Sequence, residues 1–573
     1  MKQFFIPFVS ALLLLILHTA FISSELIVPF IWTIVIIYLH GKEHTYLAIN
    51  SYVLLFTLLL AERMSFGSIS FNSEVAYSSL MMLVTFLFVF IYQELMGKRY
   101  KLQVVMVSIL SLLLYVLPFG YLIYVFTFDI TITKDIIFAV SQTNTEESLE
   151  FIQESISLWW MFIILALLIL VGYLLLKQEK KESRKIEKSL LFLMLIFSYS
   201  SVQSIKKDIH LYYFARDSAK EYKKELALFI EMQEKRKVGD IQFNATKVEE
   251  DETYIVIIGE SLNKNHMSLY GYKRDTTPLL EKSFSTGELL KYTNVYSNHT
   301  HTMQVLSLAL TEADQLNHKS YYTSLSLIDI LGRANVETYW ITNQNMMGTW
   351  DNLVSILAHQ ADYLIPLNRS SGMTTKTQKF DEVVLPEIKT AMQQHNKKTK
   401  VIFVHLMGSH AHYPSRYPER FKKFSERGVG GYDNSVLYND YVVNSILELL
   451  KEGKGVRGLI YMSDHADDVD AGLGHISSKF TYEMTQIPLI TWFSKSYINR
   501  YGDSYKNLKS HQETLFSNDF FYDTVLGIVN VKSDHYNKSH DLSSSLYTFL
   551  PQNAYTLHGK KVYSSTENPF YNP

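Results

Sequence analysis

Acids and histidines follow three apolar runs in the second half of the chain. Ile255–Ile258 leads into Gly259 and Glu260, VIFVHLMGSHAHYP (Val401–Pro414) into His410 and His412, and GLIYMSDHADD (Gly458–Asp468) into Asp464 and His465. His475 stands a little further on. Glu260, Asp464 and His465 offer hard oxygens and an imidazole, a set suited to Zn²⁺ or Mn²⁺. The chain has no cysteine, so a metal must be held by His, Asp, Glu or hydroxyl groups. A hydroxyl is available where the polar stretch NVYSNHTHT becomes the apolar MQVLSLALT. Thr300 or Thr302 there reads either as a helix cap or as a nucleophile that a bound cation ionises. Each residue also has an ordinary reading. An Asp-His pair can be a capped turn, and His405 falls within its run, where it packs or supports. The joint case rests on chemistry recurring at three successive strand ends.

The elements that must position these groups alternate. Strand patterns at Tyr254–Ile258, Val336–Ile341, Val401–Leu406, Gly458–Met462 and Ile487–Trp492 are separated by helical patterns at Ser324–Arg333, Asp381–Gln394 and Tyr438–Lys451. This predicts an α/β domain over 251–573 with a largely parallel central sheet, whose strand ends converge on one edge.

Before it the chain is strongly apolar. Runs at Phe4–Ile22, Ile27–Leu39, Tyr46–Leu60, Tyr77–Tyr92, Val104–Phe126, Leu158–Leu176 and Ser189–Val202 predict a transmembrane domain of five to seven helices over 1–204, since a span needs roughly 20 residues. Basic residues gather at Lys42, at Lys98–Lys101 and in KQEKKESRKIEK (Lys177–Lys188), while the alternate loops carry few. The positive-inside rule then puts the second half on the outer face. The outer loop at 128–156 turns amphipathic before Trp159–Trp160, either as an interfacial helix or as a segment that meets substrate. Residues 205–250 read as a bridging helix and linker. Net charge is −2, so no global basic field speaks for nucleic acid.

The motifs IIGES, MSLYGYKRDTTPLL, NVYSNHTHT, ITNQN, VHLMGSHAHYPSRYP, YDNSVLYND and YMSDH, in this order, resemble the bacterial phosphoethanolamine transferases of the alkaline phosphatase/sulfatase superfamily. The type that modifies lipopolysaccharide core heptose looks closest. The resemblance implies an alkaline phosphatase/sulfatase-like catalytic domain facing the periplasm, carried on the bacterial inner membrane by a polytopic α-helical domain. It implies phosphatidylethanolamine as donor and lipopolysaccharide or lipooligosaccharide as acceptor, at the core or lipid A, with the enzyme a monomer. By position it makes Glu260, Thr302, Asp464 and His465 ligands of one tightly held zinc, with Thr302 the nucleophile that forms a covalent phosphoethanolamine intermediate. His410 and His475 match groups that bind a second metal or the phosphoryl group. Thr143, Glu147 and Asn343 match substrate-binding positions.

The pattern is also departed from. Ala466 stands where the family has glycine, Ala139 where lipid A modifiers have asparagine, and the cysteine pairs of those enzymes are absent. Three rival readings share much of this sequence. A phosphoglycerol transferase of the lipoteichoic acid synthase type keeps the site with another head group, and MSLYGYKRDTTP argues against it. A sulfatase or phosphatase fits poorly with a membrane domain. An inactive membrane-anchored binding module fits poorly with a full ligand set.

Overall fold

The computed structural model describes residues 27–41, 45–90, 100–129, 131–142, 208–237, 242–249, 251–345, 353–368, 379–394 and 398–571, with scattered positions among 16–22 and 159–199. The chain divides into two compact units, Met1–Tyr222 and Lys223–Pro573.

In the first unit, helices α1 (Ile27–Gly41), α2 (Thr45–Phe66), α3 (Phe71–Phe90) and α4 (Tyr100–Phe128) pack on one another. Among the described residues, three of them are long and apolar enough to cross a membrane, Thr45–Phe66, Phe71–Val89 and Val105–Phe128. The runs at Phe4–Ile22, Leu158–Leu176 and Ser189–Val202 lie mostly outside the described residues, as do Thr143 and Glu147. Helix α2 outlasts its sequence pattern, which stops at Leu60 because Glu62 and Arg63 follow. Both charges are accommodated. Glu62 accepts from Tyr77 Oη at 2.6 Å and Leu211 N at 3.2 Å, and it pairs with His210 Nδ1 at 2.6 Å. Arg63 donates to the carbonyls of Phe21 and Ile22 at 2.9 and 2.7 Å. A helix predicted to bridge from Ile205 runs over His210–Lys237 (α5). Its Phe229 is buried in the core of the second unit, with Leu226 and Ile230 packed against that core.

The second unit is built on a seven-stranded sheet. In chain order its strands are β1 (Thr253–Gly259), β2 (Leu289–Tyr292), β3 (Glu337–Asn345), β4 (Tyr363–Asn368), β5 (Lys400–His405), β6 (Val456–Ser463) and β7 (Leu489–Phe493), and in space β2-β7-β6-β1-β5-β3-β4. All seven residues of β1 are buried. Tyr254, Val256 and Ile258 enter one core and Ile255 and Ile257 the other, because alternate side chains face opposite sides of a sheet covered on both faces. That double burial is why the run reads as continuously apolar.

The sheet is mixed. Strands β4, β3, β5, β1 and β6 run parallel, whereas β7 is antiparallel to β6 and β2 to β7. Parallel neighbours need a long crossover, and the chain between β6 and β7 holds only two short 3₁₀ turns. It returns on the same side and reverses.

Register sets the site. Ile258 lies opposite both His405 of β5 and Met462 of β6, and Gly259 lies opposite Ser463. The residues that follow Gly259 and Ser463 therefore leave the sheet at one level.

Candidate metal centre

Glu260 and Asp464 are the first residues past β1 and β6, and both are buried. Close packing aims them. A Cβ on Gly259 would stand 2.7 Å from Tyr461 Oη. Gly408, at φ +55°, comes so near that a Cβ there would be 2.7 Å from the carbonyl oxygen of Glu260. Only glycine permits both the left-handed turn and this approach. The Gly408 loop is fixed in turn by Asp381, whose oxygens accept Met407 N and Gly408 N at 2.9 and 2.8 Å.

Glu260, Asp464 and His465 bring one ligand atom each within 4.8 Å of one another. His465 Nε2 lies 3.2 Å from Glu260 Oε1 and 3.5 Å from Asp464 Oδ2. Asp464 Oδ1 accepts Ser261 N and His465 N at 3.1 and 2.7 Å, while Oδ2 is buried without a hydrogen-bond partner. Thr302 is the first residue of helix α6 (Thr302–Ala309), and its N-cap, His301, makes no side-chain cap. Thr302 Oγ1 donates to Glu260 Oε2 at 3.0 Å and lies 3.4 Å from His465 Nε2.

Two buried acids side by side need positive charge. Burial works against the charge of Glu260, yet the hydrogen bond and charge of His465 hold it well below the usual carboxylate range. Burial and then the Glu260 charge push Asp464 up. Burial disfavours a charged His465, but Asp464 and Glu260 outweigh it and raise this imidazole above its ordinary value. Protons thus stand where a divalent cation fits, and the orphaned Asp464 Oδ2 is a ligand atom with nothing else to bind.

A second cluster shares His465. His465, Asp467 and His475 also offer ligand atoms within 4.8 Å of one another. Asp467 Oδ1 lies 2.8 Å from His475 Nδ1, Asp467 Oδ2 accepts Tyr413 Oη at 2.7 Å, and the rings of His465 and His475 are 4.5 Å apart. His410 Nδ1 is buried without a partner. His405 is buried in β5 with its ring edge-on to Trp340. His412 takes a left-handed φ of 63°.

The sequence pattern matched to this site misses three residues. Asn343 spends its amide on Lys379 O and Asp381 Oδ1, at 2.9 and 2.8 Å. The amide that reaches the acids is that of the next residue, Gln344, which donates to Leu406 O at 2.8 Å and approaches Glu260 Oε2 at 3.4 Å. Asp467 lies two residues past the Asp-His pair, in a run of acids that carries no signal of its own. Asn518, whose Nδ2 donates to Asp464 O at 2.8 Å, carries no sequence signal. Ala466 takes no left-handed φ, so its departure from glycine costs the backbone nothing.

The sulfatase family profile matches residues 252–531, the stretch that builds this sheet and site. That stretch is a sulfatase-family domain. The chain is also similar to named transferases. It is 32% identical over 268 residues to phosphoethanolamine transferase EptC of Escherichia coli K12, covering 43% of this chain and 46% of that protein. It is 30% identical over 316 residues to phosphoethanolamine transferase EptA of Salmonella typhimurium, covering 50% of this chain and 55% of that one. The matches thus span about half the length of these relatives. Among solved structures, the C-terminal periplasmic domain of E. coli EptC in complex with Zn aligns with a TM-score of 0.51 at 27% identity, over 56% of this chain and 93% of that one. The integral membrane protein EptA of Neisseria meningitidis aligns over 86% of this chain and 97% of that one, with a TM-score of 0.57 at 19% identity. That last match shows a shared fold extending beyond the sulfatase-family domain to helices before it.

Proposed function

We propose that this chain transfers phosphoethanolamine from phosphatidylethanolamine to a cell-envelope glycolipid, the lipopolysaccharide or lipooligosaccharide core or lipid A, through Thr302. The similarity to EptC and EptA supports the head group, and the zinc complex of the EptC domain supports zinc as the metal. The observation that carries the reading is Thr302 Oγ1 sitting 3.0 Å from Glu260 Oε2 inside the acid cluster. A hydroxyl held there has its proton already directed at a carboxylate.

Glu260, Asp464 and His465 would hold the zinc, whose charge, when bound, lowers the pKa of a neighbouring hydroxyl. Thr302 loses its proton along the bond to Glu260 Oε2. Its oxygen attacks phosphorus, and the phosphorus–oxygen bond to diacylglycerol breaks. The departing diacylglycerol oxygen takes up the proton that Glu260 received. An acceptor oxygen then attacks the phosphorus of phosphoethanolamine now esterified to Thr302, the bond to Thr302 Oγ1 breaks, and the proton the acceptor gives up returns to Thr302. His410 and His475 are the groups we assign to balance charge on the phosphoryl oxygens, with Asp467 orienting His475. Thr302 opens a helix without a side-chain cap, so the first-turn N–H groups and the helix dipole support the same charge. Thr143 and Glu147 remain assigned to the donor's head group. The membrane helices and the basic loops support an inner-membrane protein with this domain in the periplasm.

The test is mass spectrometry of envelope glycolipid from cells that express wild type or Thr302→Ala. Wild type should add one phosphoethanolamine and the variant none. Purified protein given donor without acceptor should carry the added mass on Thr302. Unchanged glycolipid modification by Thr302→Ala would sink the nucleophile and the ping-pong order together.

A further inference from the structure

Beyond residue 531 the chain leaves the family profile, yet it returns to the nucleophile. A hairpin pairs Tyr555–Thr556 with Lys561–Val562. Its turn puts Leu557, His558 and Gly559 at φ 52°, 54° and 82°. Glycine takes the left-handed region freely, but two side-chain-bearing residues in succession persist there only when their surroundings hold them. The holding is done by the loop around Thr302. Thr556 Oγ1 donates to Ser297 O at 2.8 Å, and His558 N donates to Asn298 O at 3.2 Å. His558 Nε2 donates to Gln304 O at 3.0 Å, and Gly559 N donates to Gln315 Oε1 at 3.0 Å. The His558 ring lies 5.0 Å from that of His299.

The grip continues to the metal ligands. Asn298 donates through N and Nδ2 to Asn518 Oδ1, both at 2.8 Å, and Asn518 donates to Asp464 O. Helix α6 has only eight residues and an N-cap without a side-chain bond, so it has little of its own to fix where it starts.

We propose that His558 is a positioning residue for Thr302. Its bond to the Gln304 carbonyl, two residues past the nucleophile, sets where Thr302 Oγ stands relative to Glu260. The inference rests on Thr302 being the nucleophile. A carbonyl only accepts, so Nε2 carries the proton of this bond. A glutamine amide supplies a donor of similar reach. Asparagine tolerates the left-handed turn but is too short to make the bond.

The test uses the purified full-length protein in lipid nanodiscs with fluorescent phosphatidylethanolamine and excess lipooligosaccharide as acceptor, read as diacylglycerol release, with zinc content and melting temperature measured in parallel. His558→Ala and His558→Asn should lower kcat about tenfold or more, as small displacements of a reacting group do. The KM for donor should stay within about twofold of wild type and zinc content should not change, whereas His558→Gln should recover most of the rate. His558→Asn with wild-type kcat would overturn the proposal. So would variants that lose zinc and melting temperature together with kcat and are not rescued by glutamine, since that marks a purely structural role. Thr302→Ala runs beside them. If it keeps wild-type turnover the nucleophile reading itself falls, and if it is inactive while His558→Asn turns over at the wild-type rate, only the positioning role does.

Discussion

Each unit of this protein holds a buried carboxylate site, and these two sites are built in opposite ways. Glu62, in the helical unit, meets Tyr77, His210 and the Leu211 amide within hydrogen-bond distance, so both its oxygens are satisfied. Its work is to tie α2 and α3 to the start of α5. In the sulfatase-family domain, Glu260 and Asp464 are buried next to each other, and Asp464 Oδ2 has no hydrogen-bond partner. A satisfied acid is glue, and its removal costs stability. A pair of buried acids with one oxygen left unsatisfied is a cost the fold carries until a cation arrives.

The largest expected effect separates the two. Asp464→Asn should lower transfer by about three orders of magnitude and zinc affinity by at least about a hundredfold, more than the loss of an outer-shell partner costs. The same change should raise the melting temperature of zinc-free protein, because it relieves like-charge repulsion. Added zinc should stabilise wild type and leave the variant unmoved. Differential scanning fluorimetry with and without chelator reads both. A metal-free Asp464→Asn less stable than metal-free wild type would break the contrast.

Glu62→Gln should behave in the reverse sense. It replaces an acceptor with an amide facing donors, so the helical unit should lose about 1–3 kcal/mol, by the same amount with or without zinc. Thermal or proteolytic stability in detergent is the measurement, and a zinc-dependent loss would contradict the separation.

Gly408→Ala should cost the metal site less than Asp464→Asn does. The added methyl meets the Glu260 backbone and stands at a left-handed φ, which costs about 1–3 kcal/mol. Zinc affinity should fall about tenfold with the fold retained, as isothermal titration would show.

The smallest effect is on pH. Without metal, Asp464 and His465 are both held above their ordinary values, and zinc must displace their protons. Affinity should therefore fall as pH drops from neutrality, by up to about tenfold per unit for each proton released. It should keep rising above neutrality, where His465 still holds its proton. Competition with a chelating dye across pH 6 to about 8 checks the direction.

Much of the domain was legible because its chemistry follows continuously apolar strands. All five central candidates are strands, and the run before Glu260 is buried at every position. The edges were not legible. Leu289–Tyr292 is only four residues long, and Tyr363–Asn368 contains Pro366, which edge strands tolerate but sequence patterns count against. Helix α7 (Val429–Lys451) begins nine residues before its pattern, because Gly430 and Gly431 read as a loop. They are inside the helix where the Ser425 and Glu426 carbonyls press on it, each 2.5 Å from where a Cβ would stand. At the site, the acids and Thr302 were visible as residue types. The choice between Asn343 and Gln344 was not, because which of two adjacent strand residues faces a site depends on the covering elements rather than on the residues themselves.

The shared register of β1 and β6 also has a consequence in time. Ser261 and Asp464, joined in the folded domain by a hydrogen bond, are about two hundred residues apart in the chain. The ligand set comes into being only when the second of these strands closes onto the first, so an incompletely synthesised or unfolded chain has no site to load. On the proposed reading a metal is acquired late, once β6 has joined β1.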